Sequence, residues 1–260
     1  MLRNIFLTLA ASASLSAEPA ISKVLEVDLE LVLLVDVSRS MTERELEIQR
    51  QGYASALLSD DVFAAVQSGL LQRVALTYVE WAGNGSQRIV VPWTIIDGKE
   101  SADVVAQRLT QNFPIGLMHT SISGALRFAI EDIEANEFDG LRRVVDISGD
   151  GPNNAGGPVR RARDRAIEAG LVINGLPLMT WEERNLFGIP DLDVYYLNCV
   201  IGGPGGFVIP VNDWDDFPMA VRQKLVLELA GPTSALVTQR PAQDYNCMIG
   251  EQLRRQWQIP

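Results

Sequence analysis

Two hydrophobic periods alternate along this chain. Leu31-Val32-Leu33-Leu34-Val35 is an unbroken apolar run, the pattern of a strand covered on both faces, and it predicts a strand over 30–35. Thr42-Glu43-Arg44-Glu45 follows as a capping box, so a helix should open there and run to about Leu58. A short helix from Asp60 or Asp61 to Gln67 comes next. A second strand is predicted over 73–81, then a tight turn at Gly83-Asn84-Gly85 and a third strand over 87–96. Pro92 cannot donate to a sheet ladder, so that third strand belongs at an edge and antiparallel to its neighbour. Ser101 is read as the cap of a helix reaching about Asn112. Ile122, Ala125, Leu126, Ala129, Ile130 and Ile133 recur at helical spacing and predict a helix over 121–136.

Further strands are expected over 143–148 and 171–177, with a helix between them that starts near Pro158 and ends at Gly170. Residues 180–192 read as an insertion. The last strand is expected within 195–211, as a ribbon interrupted by Gly202-Gly203-Pro204-Gly205-Gly206. The last core helix should occupy 213–230, ended by Gly231-Pro232, with a further helix over 241–256. Strands alternating with helices predict an α/β, Rossmann-like doubly wound fold, with a mostly parallel sheet and one antiparallel edge strand.

The N-terminus changes the picture of where the chain works. Met1-Leu2-Arg3-Asn4 is basic, 5–11 is apolar and 12–17 is rich in small residues. That is a secretory signal pattern with cleavage after Ala17; Leu15 at the −3 position fits less well, and an uncleaved anchor is the alternative. The expected organisation is a signal peptide at 1–17, one domain at 18–231 and an appendage packed on it at 232–260. The expected location is periplasmic or secreted, with no membrane span once the signal is removed. The two cysteines, Cys199 and Cys247, then read as one disulfide, two buried thiols being the alternative. The net charge of −11 and the lack of a basic cluster longer than Arg160-Arg161-Ala162-Arg163 argue against a nucleic-acid partner.

Three segments carry oxygen donors where a parallel sheet presents its loops. Asp36, Ser38 and Ser40 alternate directly after the first apolar run. Thr120 precedes the helix of Ala125-Leu126, and Asp150-Gly151 follows the apolar strand that ends near Ser148. Carboxylates and hydroxyls are hard donors suited to Mg²⁺, Mn²⁺ or Ca²⁺. In order and type these segments resemble the metal-ion-dependent adhesion site (MIDAS) of von Willebrand factor type A (VWA) domains, over about residues 25–231. The resemblance implies a VWA-like fold, a metal held by Asp36, Ser38, Ser40, Thr120 and Asp150, and a protein partner that supplies an acidic residue to that metal. It implies no catalysis. Ile122, Ser123 and Gly149 depart from the residues usual in the family, while every proposed ligand is present.

Other readings compete. Asp36 and Asp150 would also serve as helix N-caps. A metal-assisted hydrolase lacks an evident general base, because His119 is the only histidine and no second carboxylate cluster is present for a two-metal site. A Ser–His–Asp triad of His119 with Ser38 or Ser148 lacks a Gly-x-Ser-x-Gly elbow. A scaffold with a purely structural metal is a further reading. Asp146, inside a strand, reads as a hydrogen-bonded core residue, and Trp81, Trp93 and Trp214 read as packing residues.

Overall fold

A computed structural model describes residues 24–111, 116–180, 188–231 and 244–257. The signal-like segment, the predicted helix end at 112, most of the 180–192 insertion and the start of the tail lie outside those residues. The central sheet has five strands in the order β4-β3-β2-β6-β7. These are β2 (Leu29–Asp36), β3 (Val74–Trp81), β4 (Gln87–Ile96), β6 (Arg143–Gly149) and β7 (Val172–Pro177). All neighbours pair in parallel except β3 and β4. The doubly wound sheet with one antiparallel edge strand therefore stands. Pro92 lies on that edge, beside register shifts between Leu76 and Val79 where the ladder opens around it.

The middle strand shows why its run is apolar throughout. Leu29, Leu31, Leu33 and Val35 face one core, and Val32 and Leu34 face the other. The first core is covered by α1 (Glu43–Leu57), α2 (Asp60–Gln67), α3 (Lys99–Leu109) and α7 (Phe217–Ala230). The second is covered by α4 (Ile122–Ala135), α5 (Val159–Glu168) and α6 (Leu192–Tyr195). Each fully buried Leu or Val contributes about 1.5–3 kcal/mol, so placing a polar residue in this strand would cost a large part of a domain's net stability.

Buried charges tie the layers together. Arg50 on α1 donates from Nε to Glu80 Oε1 on β3 at 2.6 Å, and from Nη1 to the Leu109 carbonyl on α3 at 2.9 Å. Lys224 on α7 sits between Asp146 on β6, at 2.7 Å, and Glu228. Asp146 is thus a core ion-pair residue, in keeping with its strand position. Glu30 Oε1 accepts from Gly140 N at 2.8 Å and from Arg143 Nε at 3.2 Å. It anchors a small parallel pair absent from the sequence reading, β1 (Leu25–Val27) with β5 (Phe138–Gly140).

Several expectations need correction. Ser101 does not cap α3: Gly98 is the N-cap, and Ser101 lies in the first turn with its hydroxyl accepting from Gly98 N at 3.1 Å. Residues 195–200 do not form a strand. They continue α6 as a π-helical turn, Tyr196–Val200. Leu192, Tyr195, Tyr196, Cys199 and Val200 recur at helical spacing, and all five are buried in the second core, so packing overrides the β preference of Tyr and Val. Residues 207–211 do run along β7, with Ile209 N donating to the Gly175 carbonyl at 3.0 Å, yet they form only isolated bridges.

Past the core, the helix expected over 241–256 begins only at Ile249 among the described residues: α8 (Ile249–Trp257) packs on the second face through Ile249 and Leu253. Cys199 and Cys247 are bonded, with Cα atoms 5.5 Å apart. No helix among the described residues is long and apolar enough to cross a membrane.

Candidate metal centre

The strands β2, β3 and β6 end side by side, Asp36 opposite Trp81 and Val35 opposite Ser148. A parallel sheet collects its post-strand loops on this edge, which brings Asp36 and the residue after β6, Asp150, to one place. The loop after Asp36 turns at once. Ser38 N donates to Asp36 Oδ1 at 2.7 Å, and Met41 N donates to the Ser38 carbonyl at 3.0 Å. The turn puts Ser38 Oγ and Ser40 Oγ 3.0 Å apart. It then leads into α1, whose capping box is complete: Glu45 N donates to Thr42 Oγ1 at 3.3 Å and Thr42 N to Glu45 Oε2 at 2.6 Å. Gln49 Nε2 donates to the Asp36 carbonyl at 3.0 Å and pins the strand end to α1.

The electrostatics are those of a site short of positive charge. Asp36 is completely buried, and its Oδ2 accepts no hydrogen bond. Burial, then repulsion from Asp150, pushes the Asp36 carboxyl well above the usual range. Burial also pushes Asp150 up to about 6, while the Ser40 and Ser38 hydroxyls bonded to its carboxylate hold it down and Glu45 raises it. Two carboxylates that repel each other, one of them with a buried oxygen unmatched, are costly unless protonated or joined to a cation.

Thr120 arrives from the loop before α4. Leu117 N donates to the Val37 carbonyl at 2.9 Å, so this loop lies against the Asp36–Ser40 turn. His119 adopts a left-handed φ of 71°, uncommon for a residue with a Cβ, and it is exposed. Thr120 is buried and is held through its backbone. Its N–H donates to Asn154 Oδ1 at 2.9 Å, and its carbonyl accepts from Asn154 N at 2.8 Å. Ser123 N donates likewise to Asn153 Oδ1 at 2.9 Å. Asp36, Ser38, Ser40 and Asp150 thus form one interacting cluster, and Thr120 lies on the loop packed between its two halves.

Sequence reasoning missed Asn153 and Asn154, which fasten the Thr120 loop to the Asp150 loop. Their signal was present, since Asn side chains in loops bond neighbouring backbone groups, but nothing in the sequence says to which loop. It also missed the reason for Gly149. A Cβ there would lie 2.8 Å from Asp36 Oδ2 and 2.9 Å from the Tyr196 hydroxyl. The departure from the family pattern makes room for a buried tyrosine beside Asp36.

The donor set fits a hard divalent cation: an unmatched buried carboxylate oxygen, a second carboxylate and adjacent hydroxyls. No group of three or more His, Cys, Asp or Glu suited to a metal occurs among the described residues.

A family model described as "Protein of unknown function (DUF1194)" matches residues 26–233. The chain belongs to that family. No curated protein sequence matches it. Among solved structures, it is similar to proximal thread matrix protein 1 from the mussel byssus. The TM-score is 0.59 at 16% identity, over 79% of this chain and 49% of that one. It is similar to a von Willebrand factor type A protein from Catenulispora acidiphila, with TM-score 0.53 at 14% identity, over 78% of this chain and 43% of that one. A further structure of the mussel protein, described as having a zinc-occupied MIDAS motif, gives 0.54 at 16% identity, over 79% and 48% of the two chains. The fold is therefore that of a VWA domain. The chain spans about half the length of the mussel relative.

Proposed function

We propose that this protein is an exported, cation-dependent protein-binding module. The observation that carries the reading is Asp36 Oδ2, buried without a hydrogen-bond partner beside a second carboxylate and two hydroxyls. Asp36, Ser38, Ser40, Thr120 and Asp150 would hold Mg²⁺ or Mn²⁺, with Ca²⁺ as the larger alternative. When bound, the ion supplies a Lewis-acidic centre with affinity for a carboxylate. The chain's own residues do the rest. The Ser38 N–H orients Asp36, Gln49 fixes the strand end, and Asn154 fixes Thr120. The partner contributes an Asp or Glu side chain. No catalytic step is included in this reading.

The zinc-occupied MIDAS of the mussel protein supports metal binding in this fold. Export rests on the signal-like 1–17 and on the bonded cysteine pair. Titration calorimetry with Mn²⁺ or Mg²⁺ tests the metal: one site is expected, abolished in a folded Asp36→Ala, Asp150→Ala double variant. A pull-down from envelope extract with and without chelator tests the partner. An unaltered capture in chelator would leave the metal a structural role only.

A further inference from the structure

The appendage that follows the domain reaches back to the candidate metal centre. Cys247, just before α8, is bonded to Cys199 at the end of the π-helical turn. From that anchor α8 touches both asparagines behind Thr120. Glu251 Oε1 accepts from Asn153 Nδ2 at 2.7 Å, and Arg254 Nη1 donates to the Asn154 carbonyl at 3.1 Å. The approach is backbone-close, since a Cβ on Gly250 would lie 2.2 Å from the Asn153 carbonyl oxygen. Asn153 N donates to the Tyr195 hydroxyl at 3.1 Å, and the Tyr195 ring packs edge-on against Tyr245, two residues before the cysteine. Asn153 is completely buried and uses its amide fully, toward Glu251, Gly157 and Ser123.

We infer that the disulfide-tethered helix α8 is a clamp that sets cation affinity: it presses the Asn153-Asn154 loop into place, and that loop positions Thr120. The inference rests on the metal reading above. Groups that orient metal ligands from behind commonly change affinity about 10–100-fold when removed. Loss of the tether leaves α8 with a short apolar face and two polar contacts, so it should detach more often, and the Thr120 loop should loosen with it.

The test is Mn²⁺ titration of the full chain at constant pH, with amide hydrogen exchange as a second readout. Cys199→Ser, Cys247→Ser and, separately, Gly250→Val with the disulfide intact should each raise the Kd about 10-fold or more. Asn154→Ala should do the same, and Asn154→Asp, which keeps the acceptor for the Thr120 amide, should restore affinity. In the tether and Gly250 variants the Thr120 amide should exchange faster while amides of β2 stay protected, a local change that general destabilisation does not produce. A Kd within twofold of wild type in folded Gly250→Val or in the double serine variant overturns the clamp. Should the serine variant not fold, Gly250→Val decides alone, and should neither fold, Arg254→Ala, which removes the bond from α8 to the Asn154 carbonyl, decides by the same twofold limit. Wild-type protein that takes up no Mn²⁺ overturns the metal reading itself, an outcome distinct from a wild type that binds and variants that bind equally well.

Discussion

Asp36 has one carboxylate oxygen satisfied by the Ser38 amide and one that is buried unmatched, and most of the site's behaviour follows from that asymmetry. Asp150, pushed up to about 6 by burial, must lose its proton before it can hold a cation. Mn²⁺ affinity should therefore fall steeply as pH drops through about 6, which calorimetry at pH 5 and pH 7.5 would show. Equal affinity at both would remove Asp150 from the ligand set. Gly149 gives a second residue-scale prediction. Gly149→Ala puts a methyl group 2.8 Å from Asp36 Oδ2, so it should weaken metal binding about tenfold, on the scale of lost ligand orientation. The sequence marked Gly149 only as a departure from a family pattern. Its purpose became visible once Tyr196, far along the chain, was seen beside it.

Among the elements, the legible ones carried their own local signals. The helix α1 opens where Thr42 and Glu45 announced it, with both reciprocal bonds formed. Thr42→Ala should cost about 1 kcal/mol in denaturant unfolding, and because the same turn carries Ser38 and Ser40 it should also weaken the cation modestly. A change in affinity without a change in stability would mean that the cap serves the site rather than the helix. Segment 195–200 was misread for a physical reason. Tyr, Val and Cys favour strands on composition, yet the spacing of Leu192, Tyr195, Tyr196, Cys199 and Val200 is helical. Spacing reports the face that packs, and packing decides. Ser101 was misplaced because a hydroxyl in the first turn serves the N-cap amide as readily as a cap residue does.

For the whole molecule, the buried Lys224 meets two carboxylates, Asp146 and Glu228. Burial pushes Glu228 up to about 7 against an unfolded value of 4.5. A raised carboxyl binds its proton more tightly when folded, so the stability it contributes is full below about pH 4.5 and is lost as pH rises through about 7. Glu228→Gln cannot titrate. The stability of wild type relative to this variant should therefore fall between pH 5 and pH 8, by on the order of 2 kcal/mol, in urea unfolding with chelator present. A constant difference would show that Glu228 is ionised throughout. The disulfide closes a separation of 48 residues, and replacing both cysteines by serine should lower stability by about 3–4 kcal/mol.

By itself the sequence determined what depends on short-range order: the apolar runs that become β2 and β6, the capping box of α1, the edge position of the strand with Pro92, and the oxygen-bearing residues that follow β2 and β6. Those features are set by covalent neighbours within a few residues, where periodicity and side-chain chemistry speak directly. Tertiary structure alone decided which distant groups meet. It brought Asn154 to Thr120, Tyr196 to the gap left by Gly149, and α8 across the Asn153 loop. It also decided that Asp36 would be buried with an oxygen unmatched. Such contacts are selected by the packing of whole layers around a twisted sheet, and no local pattern encodes which loop a hydrogen-bonding side chain will find.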